Sequence, residues 1–275
     1  MSIVFIGGGN MASALIGGLL AHGQSATDIS VVEINPDAAQ RLRDAWGVAT
    51  HPEAGPAVRG AGTLVLAVKP QHMSAMTQAL PPLSPDVRVI SIAAGVPTAL
   101  LSRWLKGHAN IVRVMPNTPA LIQQGAAGLY AMPQVSQEDR LHAQSLMRAV
   151  GSAVWVTREV DLDAVTAVSG SGPAYVFLVM EAMLKAARVL GLDQAAASTL
   201  VLDTVQGAAM LAKAGPDAPA ELRRKVTSPG GTTEAALAVL NAAGLEQIFS
   251  QAMQAAAARS AELGDGLVRE AGENK

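Results

Sequence analysis

The sequence predicts an α/β protein: an N-terminal doubly wound parallel sheet of Rossmann type, followed by an all-helical domain. Three observations carry this. Short β-rich runs alternate with helical patterns over the first 157 or so residues. Those runs are continuously apolar rather than alternating, as strands buried on both faces of a parallel sheet are. After Asp161 the strand pattern stops and Ala-rich helical patterns take over.

The strand runs fall at residues 2–6 (SIVFI), 29–34 (ISVVEI), 63–68 (TLVLAV), 87–92 (VRVISI) and 110–115 (NIVRVM), with weaker runs at 128–131 and 153–156. Helical patterns at 11–21, 36–45, 73–80, 98–105 and 138–150 separate them, which is the βαβ order. In the second part, Val176, Met180, Met183, Ala187 and Leu190 form one stripe on a helix over 174–190. Further helices are expected at 194–213, 218–225, 233–241 and 245–263, and the polar tail 264–275 is expected to fray. The domains are therefore placed at 1–160, dinucleotide-binding, and 161–275, all-α. The helices of the second are apolar around much of their circumference, more than a small bundle hides. They are expected to pack against a second copy as a homodimer.

Composition narrows the chemistry. Half of the 275 residues are apolar but only 3% are aromatic, so the core is built from Ala, Val, Leu, Ile and Met. A net charge of −2 leaves no electrostatic footprint for nucleic acid. Absence of Cys excludes disulfides, thiolate metal sites and cysteine catalysis. The five His residues share no ligand spacing, so no metal is expected. The chain opens as a strand without a basic leader, and its longest apolar run, around 174–180, is too short for a bilayer; a cytoplasmic protein with no membrane partner is expected.

Gly7, Gly8, Gly9, Asn10, Met11 and Ala12 fit G-x-G-x-x-G/A between the first strand and a helix. Gly7 permits the tight turn, Gly9 lets the backbone approach a pyrophosphate, and the helix dipole and open N–H groups face the anion. Strand two ends in Glu33, about 20 residues further on, where a carboxylate binds ribose hydroxyls and repels a 2′-phosphate. Glu33 thus leans to NADH over NADPH. A solvated Glu33, with Asn35 on the ribose instead, is the other reading. Ala67, Val68, Lys69 and Pro70 follow the third strand; Ala93, Ala94 and Gly95 follow the fourth. Both loops lie where such sheets bind ligands. Lys69 faces phosphate or nicotinamide ribose, or is a surface lysine. Asn117, held between Pro116 and Pro119, is a cofactor contact or a plain turn residue.

The helical part contains two stretches of hydroxyls and glycines, SGSGPA at 169–174 and VTSPGGTT at 226–233. Each reads as a backbone nest at a helix start, where open amides attract an anion, or as a plain helix–helix turn. The pair together favours a small carboxylate substrate.

In order, GGGNMASAL, AVKPQ, AAGV, VMPNTPA, VSGSGPAYVF and VTSPGGTTEAAL resemble the pyrroline-5-carboxylate reductase family over residues 3–263. The resemblance implies reduction of the cyclic imine Δ1-pyrroline-5-carboxylate to L-proline by NADPH or NADH. It also implies a helical dimerisation domain and an active site shared between subunits; a decamer built as a pentamer of dimers is the larger assembly considered. It assigns 7–11, Asn35, 67–70, Ala93 and Asn117 to the dinucleotide, and Ser171, Ser228, Gly230, Gly231, Thr232 and Thr233 to substrate or product, with Thr233 as proton donor. Glu33 is untypical of members using NADP, and Arg223, Arg224 and Lys225 replace the family's Lys-Asp-Asn or Lys-Asp-Met.

A C=N carbon accepts hydride better once its nitrogen is protonated, so the site needs a stacked nicotinamide, a carboxylate anchor and a hydroxyl. With no acidic or imidazole group inside SGSGPA or SPGGTT, positioning is expected to supply most of the acceleration. Amides of Gly230 and Gly231 are expected to grip the carboxylate. Three competing readings remain: a reductase of six-membered imines, a short β-hydroxyacid dehydrogenase using Lys185, and a non-catalytic nicotinamide sensor.

Overall fold

The computed structural model describes residues 2–273. Eight strands appear among them: β1 Ile3–Ile6, β2 Ile29–Val32, β3 Ala49–His51, β4 Thr63–Leu66, β5 Arg88–Ser91, β6 Ile111–Met115, β7 Gly125–Ala131 and β8 Gly151–Trp155. They form one sheet in the order β3-β2-β1-β4-β5-β6-β7-β8. Its first six strands have the doubly wound order, which reverses between β1 and β4. The sheet departs from all-parallel once. β6 and β7 pair antiparallel, Val112 opposite Ala131 and Met115 opposite Gly128. Their link is a single 3₁₀ turn, Thr118–Ile122, whereas a parallel return needs a long crossover.

Period-two alternation divides the core. Ile3 and Phe5 point to one face and pack with Leu15, Ile16 and Leu146. Val4 and Ile6 point to the other, with Met73, Leu101 and Trp104. The first helix, α1 Asn10–Ala21, runs from the end of β1, and α2 Pro36–Trp46 from the end of β2. The sequence pattern passes over β3 and the short helix α3 Gly55–Arg59. β3 is a three-residue edge strand with no apolar run to announce it. Helices α4 Pro70–Gln78, α5 Thr98–Trp104 and α6 Gln137–Arg148 complete the layers.

The chain divides into two compact units, Met1–Ser171 with Ala255–Lys275, and Gly172–Gln254. Composition changes near 160, but helix α7 Asp161–Val165 and the turn after it still belong to the first unit. The second unit holds α8 Gly172–Val189, α9 Gln194–Ala214, α10 Pro219–Lys225, α11 Thr232–Ala242 and the start of α12 Leu245–Glu273. Its apolar side chains are largely uncovered: Phe177 is 57% exposed and Leu190 84%. The apolar run at 174–180 lies inside a longer helical stretch, Asp161–Val189, which with Gln194–Ala214 is apolar enough by length and composition to cross a membrane.

The tail corrects an expectation. Residues 264–273 continue α12 instead of fraying. Leu267 and Ala271, one helical turn apart, pack against the Val4–Ile6 face of the first unit, and Arg103 donates to the Ala271 carbonyl at 2.9 Å. The two apolar positions are hidden among polar neighbours, which is why the tail reads as frayed. Deleting 264–275 should therefore remove about 2 kcal/mol of apolar burial. A circular-dichroism melt should show Tm lower by roughly 4–8 °C; an unchanged melt would show that these contacts do not stabilise the unit.

Candidate active site

The glycine loop is built at the C-terminal end of β1, beside the point where strand order reverses. Gly7 has φ of +95°, and a Cβ there would lie 2.9 Å from Val68 Cγ1 and 3.0 Å from the Ala67 carbonyl oxygen. The two loops at the switch point, 7–9 and 67–70, thus touch only because residue 7 has no side chain. Gly9 caps α1 with extended backbone (φ −68°, ψ 179°), no side-chain cap and no acidic residue in the first turn. The opening amides of Asn10 and Met11 therefore present the positive end of the helix with no acidic residue of its own turn against them.

Glu33 faces this loop. One carboxylate oxygen accepts from Gly8 N–H at 2.8 Å and the other from Asn35 N–H at 2.8 Å. Each oxygen keeps a second lone pair. Glu33 is thus an oriented acceptor pair at the end of β2, not a freely solvated side chain. Asn35 spends its side-chain oxygen capping α2, accepting from Asp37 N–H at 2.9 Å and Ala38 N–H at 3.1 Å. Beside them Ile34 is 84% exposed, an apolar surface that the motif reading did not single out. Arg43 donates to Thr50 and Gln40.

The other cofactor candidates differ in how they are presented. Lys69 is exposed at the start of α4. Ala67 and Val68 are half-buried, each against one sheet face. Ala93 is 5% exposed with its methyl inside the apolar cluster, so it can offer a ligand only main chain. Asn117 is buried with both ends of its amide bonded to backbone.

Both hydroxyl-glycine motifs depart from the nest reading, in different ways. Residues 169–174 do hold the start of α8, at Gly172, but no open loop precedes it. Thr166–Gly170 is a π-helical turn continuous with α8, in which Ser171 N–H donates to the Thr166 carbonyl at 2.8 Å. Pro173 has no N–H to complete the ordinary i+4 pattern, and the turn widens instead. Ser169 turns its hydroxyl back to the Val165 carbonyl at 3.0 Å, which leaves Ser171 as the hydroxyl available there.

In the second motif, Ser228, Pro229, Gly230 and Gly231 form a turn closed by Gly231 N–H to the Ser228 carbonyl at 3.0 Å. Gly230, at φ +70°, follows Pro229, the pairing a type II turn requires. Gly230 N–H donates to Glu234 at 2.7 Å. The amides of Gly230 and Gly231, expected to grip the carboxylate, are thus both bonded inside the motif. The amides that open α11 are those of Thr232, Thr233 and Glu234, beside the two threonine hydroxyls, and Gly231 supplies no side-chain cap. Glu234 is a motif residue that the glycine-and-hydroxyl pattern does not single out. Its signal is a Glu three residues after the helix cap, the reach-back position of a capping box.

Arg224 pairs with Glu221 at 2.6 Å and Lys225 with Asp217 at 2.6 Å on exposed surface. Arg223 and Glu234 line a groove of about 480 Å³ between α10 and α11. A larger cavity, about 670 Å³, opens near Arg88, His108 and Asn110, at the N-terminal ends of β5 and β6. Burial holds the His108 imidazole below its usual value there. That is the end of a doubly wound sheet opposite to its ligand crevice.

A doubly wound sheet with an open glycine loop at its switch point and an oriented carboxylate on β2 defines a dinucleotide-dependent oxidoreductase. The family model for pyrroline-5-carboxylate reductase dimerisation matches residues 159–263, and one for NADP oxidoreductase, coenzyme F420-dependent, matches 2–95. The chain is 49% identical to the pyrroline-5-carboxylate reductase of Pseudomonas aeruginosa over 96% of its length and 97% of the relative's. It is 46% identical to that of Pasteurella multocida, over 95% and 97%. Among solved structures, the Coxiella burnetii pyrroline-5-carboxylate reductase superposes with TM-score 0.91 at 42% identity, covering 95% and 98%. The Plasmodium falciparum pyrroline carboxylate reductase, solved with NADP bound, gives 0.84 at 27% identity over 96% and 98%. The chain belongs to the pyrroline-5-carboxylate reductase family. It is an NAD(P)-dependent oxidoreductase of proline biosynthesis, and its uncovered helices lie in a dimerisation domain.

Proposed function

We propose that Thr232 and Thr233 hold and protonate the imine substrate, and that Glu33 makes NADH the preferred cofactor. The substrate is Δ1-pyrroline-5-carboxylate, whose C=N bond is reduced to give L-proline. Bound reduced nicotinamide supplies the hydride. The chain's own residues bind, orient and transfer a proton. The amides of Thr232 and Thr233, opening α11 without a cap, suit a carboxylate. The Thr233 hydroxyl gives the ring nitrogen a proton as hydride reaches the carbon and takes a replacement proton from water, and Ser171 and Ser228 are the further substrate hydroxyls. Glu234 holds the Gly230 turn in shape from behind. For the dinucleotide, 7–11 take the pyrophosphate, Glu33 the adenosine ribose with Ile34 beneath the base, and 67–70 with the Ala93 main chain the nicotinamide half. The working unit is a cytoplasmic homodimer built through the helical domain. A decamer of five dimers is the higher form that sedimentation would distinguish from it.

The observation that carries the cofactor reading is the pinned Glu33 carboxylate. Both oxygens are oriented by backbone N–H groups and keep lone pairs for two ribose hydroxyls. A 2′-phosphate brought to the same place meets a fixed like charge, a cost of roughly 1–4 kcal/mol at 4 Å. Titrating cofactor binding through nicotinamide fluorescence should give a Kd for NADH about tenfold or more below that for NADPH, with Glu33→Ser closing most of the gap. Equal affinities in the unaltered protein would overturn the assignment.

A further inference from the structure

Asn117 is 9% exposed and joins three elements. It follows β6 and caps the 3₁₀ turn Thr118–Ile122. Its side-chain oxygen accepts from Ala126 N–H of β7 at 2.8 Å, and its Nδ2 donates to the Ser169 carbonyl at 3.0 Å. The second bond falls on a carbonyl with a particular need. In a regular helix the donor to Ser169 C=O would be the N–H of residue 173, and residue 173 is Pro. The Asn117 amide supplies the donor that proline lacks. Contact beside it is equally close: a Cβ on Gly170 would lie 2.5 Å from Met115 Cε, so the β6 exit and the π turn touch over a bare backbone.

We infer that Asn117 is a positioning residue for the π turn that presents Ser171, and not a ligand of the dinucleotide. Both ends of its amide are bonded to backbone, and at 9% exposure the remaining donor and acceptor have little access to a cofactor. What it does control is where the turn ends. Ser171 N–H is bonded one residue further back than in an α-helix, and the widened turn is secured from outside by a single side chain. Losing the Asn117 donor would let the turn relax and carry the Ser171 hydroxyl off its line. The inference rests on the substrate role proposed for Ser171.

The test is Asn117→Asp in the full-length enzyme. This variant keeps an acceptor for Ala126 N–H but sets a carboxylate oxygen against the Ser169 carbonyl. KM for pyrroline-5-carboxylate should rise about tenfold, equivalent to about 1.4 kcal/mol. The Kd for NADH, measured directly by fluorescence, should stay within twofold. The KM penalty relative to the unaltered enzyme should shrink as pH falls toward the carboxyl range, because a protonated carboxyl again donates. A weaker NADH Kd with KM unchanged would make Asn117 a dinucleotide ligand, and a KM penalty indifferent to pH would leave only generic damage; either overturns the inference. Should N117D not fold, Asn117→Ser, too short to reach Ser169, must show the same rise in KM with NADH affinity kept. Ser171→Ala separates the two levels. If it leaves KM unchanged, the substrate role of Ser171 falls; if it raises KM while N117D does not, only the positioning role falls.

Discussion

Thr233→Ala is expected to lower kcat about 100-fold, the low end of what a positioned proton donor contributes. Binding of NADH, measured without turnover, should be unaffected. The size follows from what surrounds the residue. Within the motif the one carboxylate, Glu234, is committed to Gly230 N–H at 2.7 Å, and the Gly231 amide closes the turn on Ser228. No imidazole lies between 226 and 237 to take over proton transfer. Thr233 is the second residue of α11 and half-buried. Thr233→Ser, which keeps the hydroxyl and drops a methyl, should retain activity within about tenfold, since a lost methyl costs on the order of 1 kcal/mol. A Thr233→Ala enzyme within twofold of the original in kcat would move the proton to another donor.

The fold was legible where physics is local. Two-face burial of β1, β2 and β4 shows as mainly apolar runs, and the glycine loop shows as a spacing. What escaped was set by distant partners. β3 exists because β2 offers an edge, with Ser30 to Val32 paired to 49–51, and nothing in Ala49, Thr50 or His51 asks for a strand. The tail was misjudged because, among its described residues, Leu267 and Ala271 alone join the apolar cluster. In the site, the positions of the motifs were readable but their hydrogen bonding was not. SPGGTT suggested open glycine amides; the turn closure and Glu234 consume both. SGSGPA suggested a helix start, and α8 does begin at Gly172; what did not show was the widened turn that runs into it, bonded by the Asn117 amide. Glycine pairs advertise an unusual backbone, but which donors remain free depends on side chains elsewhere in the chain.

Gly151→Ala should be the most destabilising single-methyl substitution among those considered, costing about 3–5 kcal/mol and lowering Tm by about 10 °C. Gly151 opens β8 at φ +150°, and a Cβ there would lie 2.0 Å from the Gly125 carbonyl oxygen and 2.5 Å from two more Gly125 backbone atoms. No side chain can swing aside, because every neighbour is main chain. The first rungs of β7 and β8, Gly125 with Gly151 and Ala126 with Ser152, would have to separate. Gly47→Ala is the matched control. It also has positive φ, +65°, but nothing lies within 4 Å of its Cβ, so it should cost only the left-handed backbone strain of about 1 kcal/mol. The difference between the two melts isolates the steric part. Damage at Gly151 should also reach catalysis, because Ala126 N–H is the anchor for the Asn117 side chain. At a temperature where the variant stays folded, its KM for the imine should therefore rise while NADH affinity holds. A Gly151→Ala protein that melts like Gly47→Ala would mean the β7–β8 edge yields freely and cannot be what fixes Asn117 in place.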